Sequence, residues 1–197
     1  ADDRTLIEWR FATQADAKGW SPGSIADCRV EDGMLTGTPT GNDPLLIGPV
    51  FDPIAATAVQ WVEIRMRSAA GHAELYWTET LEGRFGGFSG RKMTLFDCAG
   101  GEAVETYRIR PFWQAAGKII RLRIDPPSAG PFAIESIRIV SAGDTAEAST
   151  AKQWQFQNGA APWAPSRIDA TANMPPLLES PLLAVPTEPY PFVHVRM

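Results

Sequence analysis

The chain has 197 residues, 44% of them hydrophobic and 21% charged, which suits one or two folded domains with a buried core and excludes a disordered or fibrous chain. Its formal net charge of −5 offers no basic field to draw in phosphates, so nucleic acid and an anionic membrane surface are excluded as partners. No apolar run approaches the roughly 20 residues of a membrane-spanning helix, so membrane insertion is not expected either.

Read from the amino terminus, short apolar or alternating runs recur between Gly, Pro, Asp and Asn. They occupy residues 5–11, 33–37, 59–67, 73–78, 92–96, 104–109, 119–124 and 132–140. Strand-like runs at this spacing, with no helical stripe longer than two turns, predict an all-β sandwich. The chain opens Ala-Asp-Asp without an initiating Met, as an exported protein does after its signal is cleaved, and we expect it to be secreted or periplasmic. Cys28 and Cys98 lie 70 residues apart without metal-binding spacing; one disulfide and two separate buried thiols are both open. Trp9, Trp77, Trp113 and Trp154 stand at or just before strands and are expected in cores, whereas Trp20 and Trp163 lie in loops, where either a sugar platform or, more commonly, a plug of a sandwich end is open.

The clearest alternation is WVEIRMR (61–67). Val62, Ile64 and Met66 face inward, and Trp61, Glu63, Arg65 and Arg67 face outward. In AELYWT (73–78), Ala73, Leu75 and Trp77 go in while Glu74, Tyr76 and Thr78 go out. Further on, Ile120, Leu122 and Ile124 go in, and Ile119, Arg121, Arg123 and Asp125 go out. If these strands share one sheet, its outer face holds Trp61 and Tyr76 among Glu63, Glu74, Arg65, Arg121, Arg123 and Asp125. An aromatic platform for the C–H face of a pyranose, beside arginines and carboxylates for its hydroxyls, is the pattern of a sugar site. The same residues also suit cross-strand ion pairs on a solvated sheet, or a face covered by the rest of the chain. The loop GRFGGFSGR (83–91) presents Phe85 and Phe88 as a second candidate contact; it has neither phosphate-loop nor nucleophile-elbow spacing. Catalysis is poorly supplied. Only His72 and His194 exist, and the carboxylate pair Glu63 and Glu74 would be held ionised by adjacent arginines, the wrong state for a general acid.

A small, polar stretch at 141–153 reads as a linker, and eight of the seventeen prolines then fall between Pro162 and Pro191. The tail also repeats the start in order: Trp9-Arg-Phe11 returns as Trp154-Gln-Phe156, Pro44-Leu-Leu-Ile-Gly-Pro49 as Pro176-Leu-Leu-Glu-Ser-Pro181, and Val62-Glu-Ile-Arg-Met66 as Val193-His-Val-Arg-Met197. The expected organisation is a sandwich module over 1–140, the linker 141–153, and an incomplete, extended second copy over 154–197. Its unpaired strands would be open to another protein chain. An extended arm wrapped over the first domain is the alternative.

The signals of the first 140 residues, taken together, resemble the galactose-binding-like jelly rolls. They are Trp-x-Phe, Gly19-Trp20, Asn42-Asp43-Pro44-Leu45 with Pro49, VEIRMRS, AELYWT, Trp113 ahead of Gly117-Lys-Ile119, LRIDP (122–126) and IESIRI (134–139). The resemblance implies a jelly-roll β-sandwich of the carbohydrate-binding-module type. Its function would be non-catalytic binding of a glycan or cell-surface polysaccharide, as a module of a larger polysaccharide-processing or surface assembly. It also implies a structural calcium ion, for which Asp16, Asp27, Asp43 and Asp125 are the turn carboxylates to consider. The expected ligand residues are Trp61, Glu63, Arg65, Glu74, Tyr76, Arg121, Arg123, Phe85 and Phe88. A protein–protein assembly module is the second reading and a glycoside-active enzyme the third.

Overall fold

The computed structural model describes residues 2–143 and, beyond them, one short strand pair at 164–165 and 178–179. The strands up to residue 143 are β1 (Arg4–Arg10), β2 (Ser21–Gly23), β3 (Ile25–Glu31), β4 (Met34–Pro39), β5 (Leu45–Ile47), β6 (Ile54–Ala55), β7 (Gln60–Ser68), β8 (Gly71–Thr78), β9 (Met93–Cys98), β10 (Glu105–Ile109), β11 (Lys118–Ile119), β12 (Arg121–Asp125) and β13 (Phe132–Ser141). Among the described residues helix is confined to single 3₁₀ turns, as the missing helical periodicity predicts.

Two antiparallel sheets form the expected all-β sandwich. The first has six strands in the order β10-β7-β13-β4-β3, with β1 also on β13; the second has five, in the order β2-β5-β12-β8-β9. One edge of β13 pairs with β7 along its whole length, while the other takes β4 at Phe132–Ile134 and then β1 at 136–141. At this handover, Ile134 pairs with Met66 and Ser136 with Arg65, so Glu135 is one residue too many and forms a bulge.

The core lies between the sheets. Val62, Ile64 and Met66 of β7 and Ile137 and Ile139 of β13 share it with Leu75 and Trp77 of β8 and Leu122 and Ile124 of β12, each at most 1% exposed. Removing each such side chain from water contributes about 1.5–3 kcal/mol. Trp77 and Trp113 meet edge to face at 6.2 Å, and the Trp113 Nε1–H donates to the Gln60 side chain at 3.1 Å. Trp20 packs edge-on against Trp9 and Phe11, both at 5.7 Å, so it plugs the sandwich.

Two expectations change here. Strands β7 and β8 lie in different sheets, because the link through Ala69 and Ala70 carries the chain across the core instead of turning it into a hairpin. Gly71 begins β8 at φ +151, and a Cβ there would lie 3.3 Å from Pro127. Ile119 is fully buried instead of outward, since it pairs with Ile54 in the separate β6–β11 ribbon and the alternation restarts at Arg121. Cys28 and Cys98 are separate free thiols, one in each sheet, and burial pushes both above the usual thiol range.

By internal contacts the chain divides into Ala1–Thr145 and Ala146–Met197. The expected linker begins later than 141, since Ser141 ends β13; its remainder from 144 and, apart from the short pair, the expected second copy, including Trp154 and Trp163, lie outside the described residues. In that pair Ala164 faces Glu179 and Pro165 faces Leu178. The register is that of β2 on β5, where Ser21 faces Ile47 and Pro22 faces Leu46. Leu178 and Glu179 are the residues that stand for Leu46 and Ile47 in the repeat.

Candidate functional site on the outer face of the six-stranded sheet

The alternation of β7 sends Trp61, Glu63 and Arg65 outward, and the sheet register supplies their neighbours. Arg108 of β10, Glu63 of β7, Arg138 of β13 and Glu8 of β1 follow one another across four strands. Their charges alternate along the row, the arrangement that favours directly opposed side chains. The adjacent row is Thr106, Arg65, Ser136 and Arg10.

Glu63 is the centre of the face, with its side chain only 6% exposed. Its Oε1 accepts from Arg138 Nε at 2.8 Å and from Arg138 Nη2 at 2.5 Å, while Oε2 stands 3.8 Å from Arg108 Nη2. A carboxylate this buried is tolerated because guanidiniums flank it on both sides. The Arg108 guanidinium lies over the Trp61 ring at 4.9 Å, and that of Arg110 at 5.9 Å. Trp61 is 4% exposed, so it is a shelf that positions arginines and not the open sugar platform expected from its place in the alternation.

The bulge aims Glu135 at Arg65, whose Nε and Nη2 donate to Glu135 Oε2 at 3.2 and 3.0 Å. This bond raises the Arg65 pKa above its ordinary value. Arg10 and Glu8 pair at 2.9 Å. Between these pairs a hollow of about 340 Å³ is walled by Glu8, Arg10, Glu63, Arg65, Glu135 and Arg138. Three guanidiniums and three carboxylates thus present fixed donors beside fixed acceptors, and a sugar's vicinal hydroxyls use both.

Glu74, Tyr76, Arg121 and Arg123 belong to the opposite outer face. There Arg123 Nε donates to Asp125 Oδ1 at 2.7 Å, Arg123 Nη2 reaches Asp43 at 3.3 Å, and the guanidinium covers the Tyr76 ring at 4.6 Å. The Tyr76 hydroxyl donates to Glu74 Oε2 at 2.6 Å. Burial, with this bond to Glu74, raises the Tyr76 pKa; burial also raises that of Asp125, with Arg123 opposing. Arg121 Nε donates to the Gly48 carbonyl at 2.7 Å. Glu74, Tyr76, Arg123, Asp125 and Asp43 thus satisfy one another, and Arg121 is tied to the backbone. Because Glu63 and Glu74 face away from each other on sheets about 10 Å apart, they do not form the pair that glycoside hydrolysis uses.

The loop candidates separate as well. Phe88 is buried at 4% exposure, whereas Phe85 is 65% exposed with φ +62 and carries Arg84 over its ring at 4.6 Å. The four calcium candidates do not assemble: Asp16 accepts from the Thr13 backbone N–H at 2.7 Å, Asp43 and Asp125 are committed to Arg123, and Asp27 occupies a positive-φ position. Among the described residues, no three His, Cys, Asp or Glu side chains group closely enough to hold a metal ion.

Sequence reasoning missed Glu8, Arg10, Arg108, Glu135 and Arg138. YRIR (107–110) carries a readable signal, since Arg108 and Arg110 alternate with Tyr107 and Ile109. IESIRI is less legible, because the bulge breaks its phase at Glu135.

No protein-family model and no curated protein matches this chain. Among solved structures, the second N-terminal cellulose-binding domain of β-1,4-glucanase C from Cellulomonas fimi is similar at 13% identity and TM-score 0.48, over 71% of this chain and 99% of that domain. A low-affinity xylan-binding module from Roseburia intestinalis is similar at 14% identity and TM-score 0.45, over 72% of this chain and 99% of the module. The K3 adhesin domain of Lys-gingipain from Porphyromonas gingivalis is similar at 10% identity and TM-score 0.43, over 70% of this chain and 100% of the domain. Likenesses at this level assign neither ligand nor site. Among the described residues, no helix is long and apolar enough to cross a membrane.

Proposed function

We propose that this chain binds a glycan without cleaving it, on the outer face of the six-stranded sheet, as a module of an exported polysaccharide-processing or surface-attached protein. The hollow beside Glu63 carries the reading. It is a concave site of about 340 Å³ whose walls are three guanidiniums and three carboxylates already held in place by one another. Little ordering remains to be done on binding, which favours affinity for a flexible, hydroxyl-rich ligand. The volume lies within the usual range of about 300–1,000 Å³ for small-molecule sites.

The test is a broad glycan array probed with the whole chain, with and without calcium. Saturable binding is expected, and Arg65→Ala should weaken it at least tenfold, as expected when a charge-assisted hydrogen bond is lost. Dependence on calcium would bring in the ion that the resemblance implies. A blank array in both conditions, or binding indifferent to Arg65, overturns the reading.

A further inference from the structure

Arg10 is matched by Glu8, Arg65 by Glu135 and Arg138 by Glu63, each at 3.0 Å or less. Arg108 has only the far oxygen of Glu63, at 3.8 Å, beyond hydrogen-bond length. Among the described residues, none offers an acceptor within hydrogen-bond reach of its guanidinium. The face therefore carries one cation more than its carboxylates neutralise, on a chain whose net charge is −5.

This guanidinium is held in place without being used up. It lies over the Trp61 ring at 4.9 Å, and its side chain remains 47% exposed. A planar fork with open N–H groups matches an anionic oxygen pair, and fixing it beforehand removes much of the ordering cost of binding. Arg108 lies in the same row as Glu8, which walls the hollow, three inter-strand spacings away, or about 14 Å. An oligosaccharide laid across the strands would reach both.

We propose that the glycan taken by this face is anionic, with Arg108 receiving a uronate carboxylate or a sulfate ester while the hollow takes neighbouring hydroxyls. This rests on the glycan-binding reading above and adds the class of sugar. Titration calorimetry on the whole chain tests it with two pairs of ligands: oligogalacturonate against its neutral methyl ester, and sulfated against unsulfated galactan oligosaccharides. The charged member of at least one pair should bind about tenfold more tightly at low salt, and the advantage should shrink as salt screens it. Which pair shows the preference identifies carboxylate or sulfate as the source. Arg108→Gln, at a surface position and with its melting temperature checked, should bring the charged-to-neutral ratio close to one, and Arg108→Lys should retain part of it. If every charged and neutral pair binds alike in the unaltered chain, the anionic assignment fails and glycan binding stands. If the preference survives Arg108→Gln, the assignment to Arg108 fails. A chain that binds none of these ligands and is blank on the array takes the underlying reading down as well.

Discussion

On the outer face of the six-stranded sheet, Glu63 anchors a row of alternating charge that leaves a hollow on one side and the open guanidinium of Arg108 on the other. On the outer face of the five-stranded sheet, Arg123 is enclosed by Asp125, Asp43 and the Tyr76 ring, whose hydroxyl is itself held by Glu74. Both faces are built from arginine, carboxylate and one aromatic ring. What separates them is how the arginines are used: among the described residues, Arg121 on the second face gives its Nε to the Gly48 carbonyl and Arg123 is enclosed by carboxylates, whereas Arg108 on the first face has no hydrogen-bond acceptor and lies beside a concavity. Residue types at alternating positions therefore indicate where polar chemistry is possible, and the completeness of the pairing decides whether a ligand is needed to finish it.

The difference can be broken from either side. Glu63→Ala leaves Arg138 and Arg108 without their shared carboxylate, but both stay solvated at 39% and 47% exposure, so stability should fall by only about 1 kcal/mol in urea unfolding while calorimetry shows the loss of glycan binding. Arg123→Ala strands the buried Asp125 and should cost more, on the order of 3 kcal/mol of stability, yet glycan affinity should not change, because the proposed site lies on the other face. If Arg123→Ala abolished binding and Glu63→Ala did not, the site would belong on the other sheet. Glu135→Ala is milder. The half-exposed pair with Arg65 is worth less than about 1 kcal/mol of stability, whereas binding should fall several-fold as Arg65 loses its orientation.

Acid titration sharpens the contrast further. Burial raises the Asp125 pKa above 3.8, so its contribution to stability is present below that value and is lost as pH rises through the folded-state pKa. Burial works to raise Glu79 too, but the hydrogen bond and charge of Lys92, together with a backbone hydrogen bond, outweigh it and leave the pKa below 4.5. Stability from Glu79 is therefore present above 4.5 and is lost as pH falls through the folded-state value. Relative to the unaltered chain, Asp125→Asn should lose ground as pH falls toward 3.8 and Glu79→Gln should gain ground below 4.5. Equal slopes for the two in melting curves would contradict this account.

Much of the fold is legible in the residue pattern. The runs at 59–67, 73–78 and 132–140 are strands, Val62, Leu75 and Leu122 are core, and Trp61, Glu63 and Arg65 share one face. Alternation distinguishes inside from outside because successive side chains of a strand point to opposite faces. It carries no information on which sheet a strand joins, so alternation alone sets Glu74, Tyr76, Arg121 and Arg123 beside Glu63 although they line the opposite surface. Phase also fails wherever the backbone departs from regular pleating. The bulge at Glu135 and the separate ribbon at Ile119 are both such places.

The all-β class and the inward and outward faces of most strands are written into the chain locally, because each follows from periodicity and composition. That Arg108, Glu63, Arg138 and Glu8 form one row, that Trp61 lies beneath guanidiniums, and that Glu63 and Glu74 are parted by the core emerges only on folding. These depend on pairings between strands up to about 130 residues apart in the chain, where register and sheet membership are settled by packing of the whole sandwich and not by any local run.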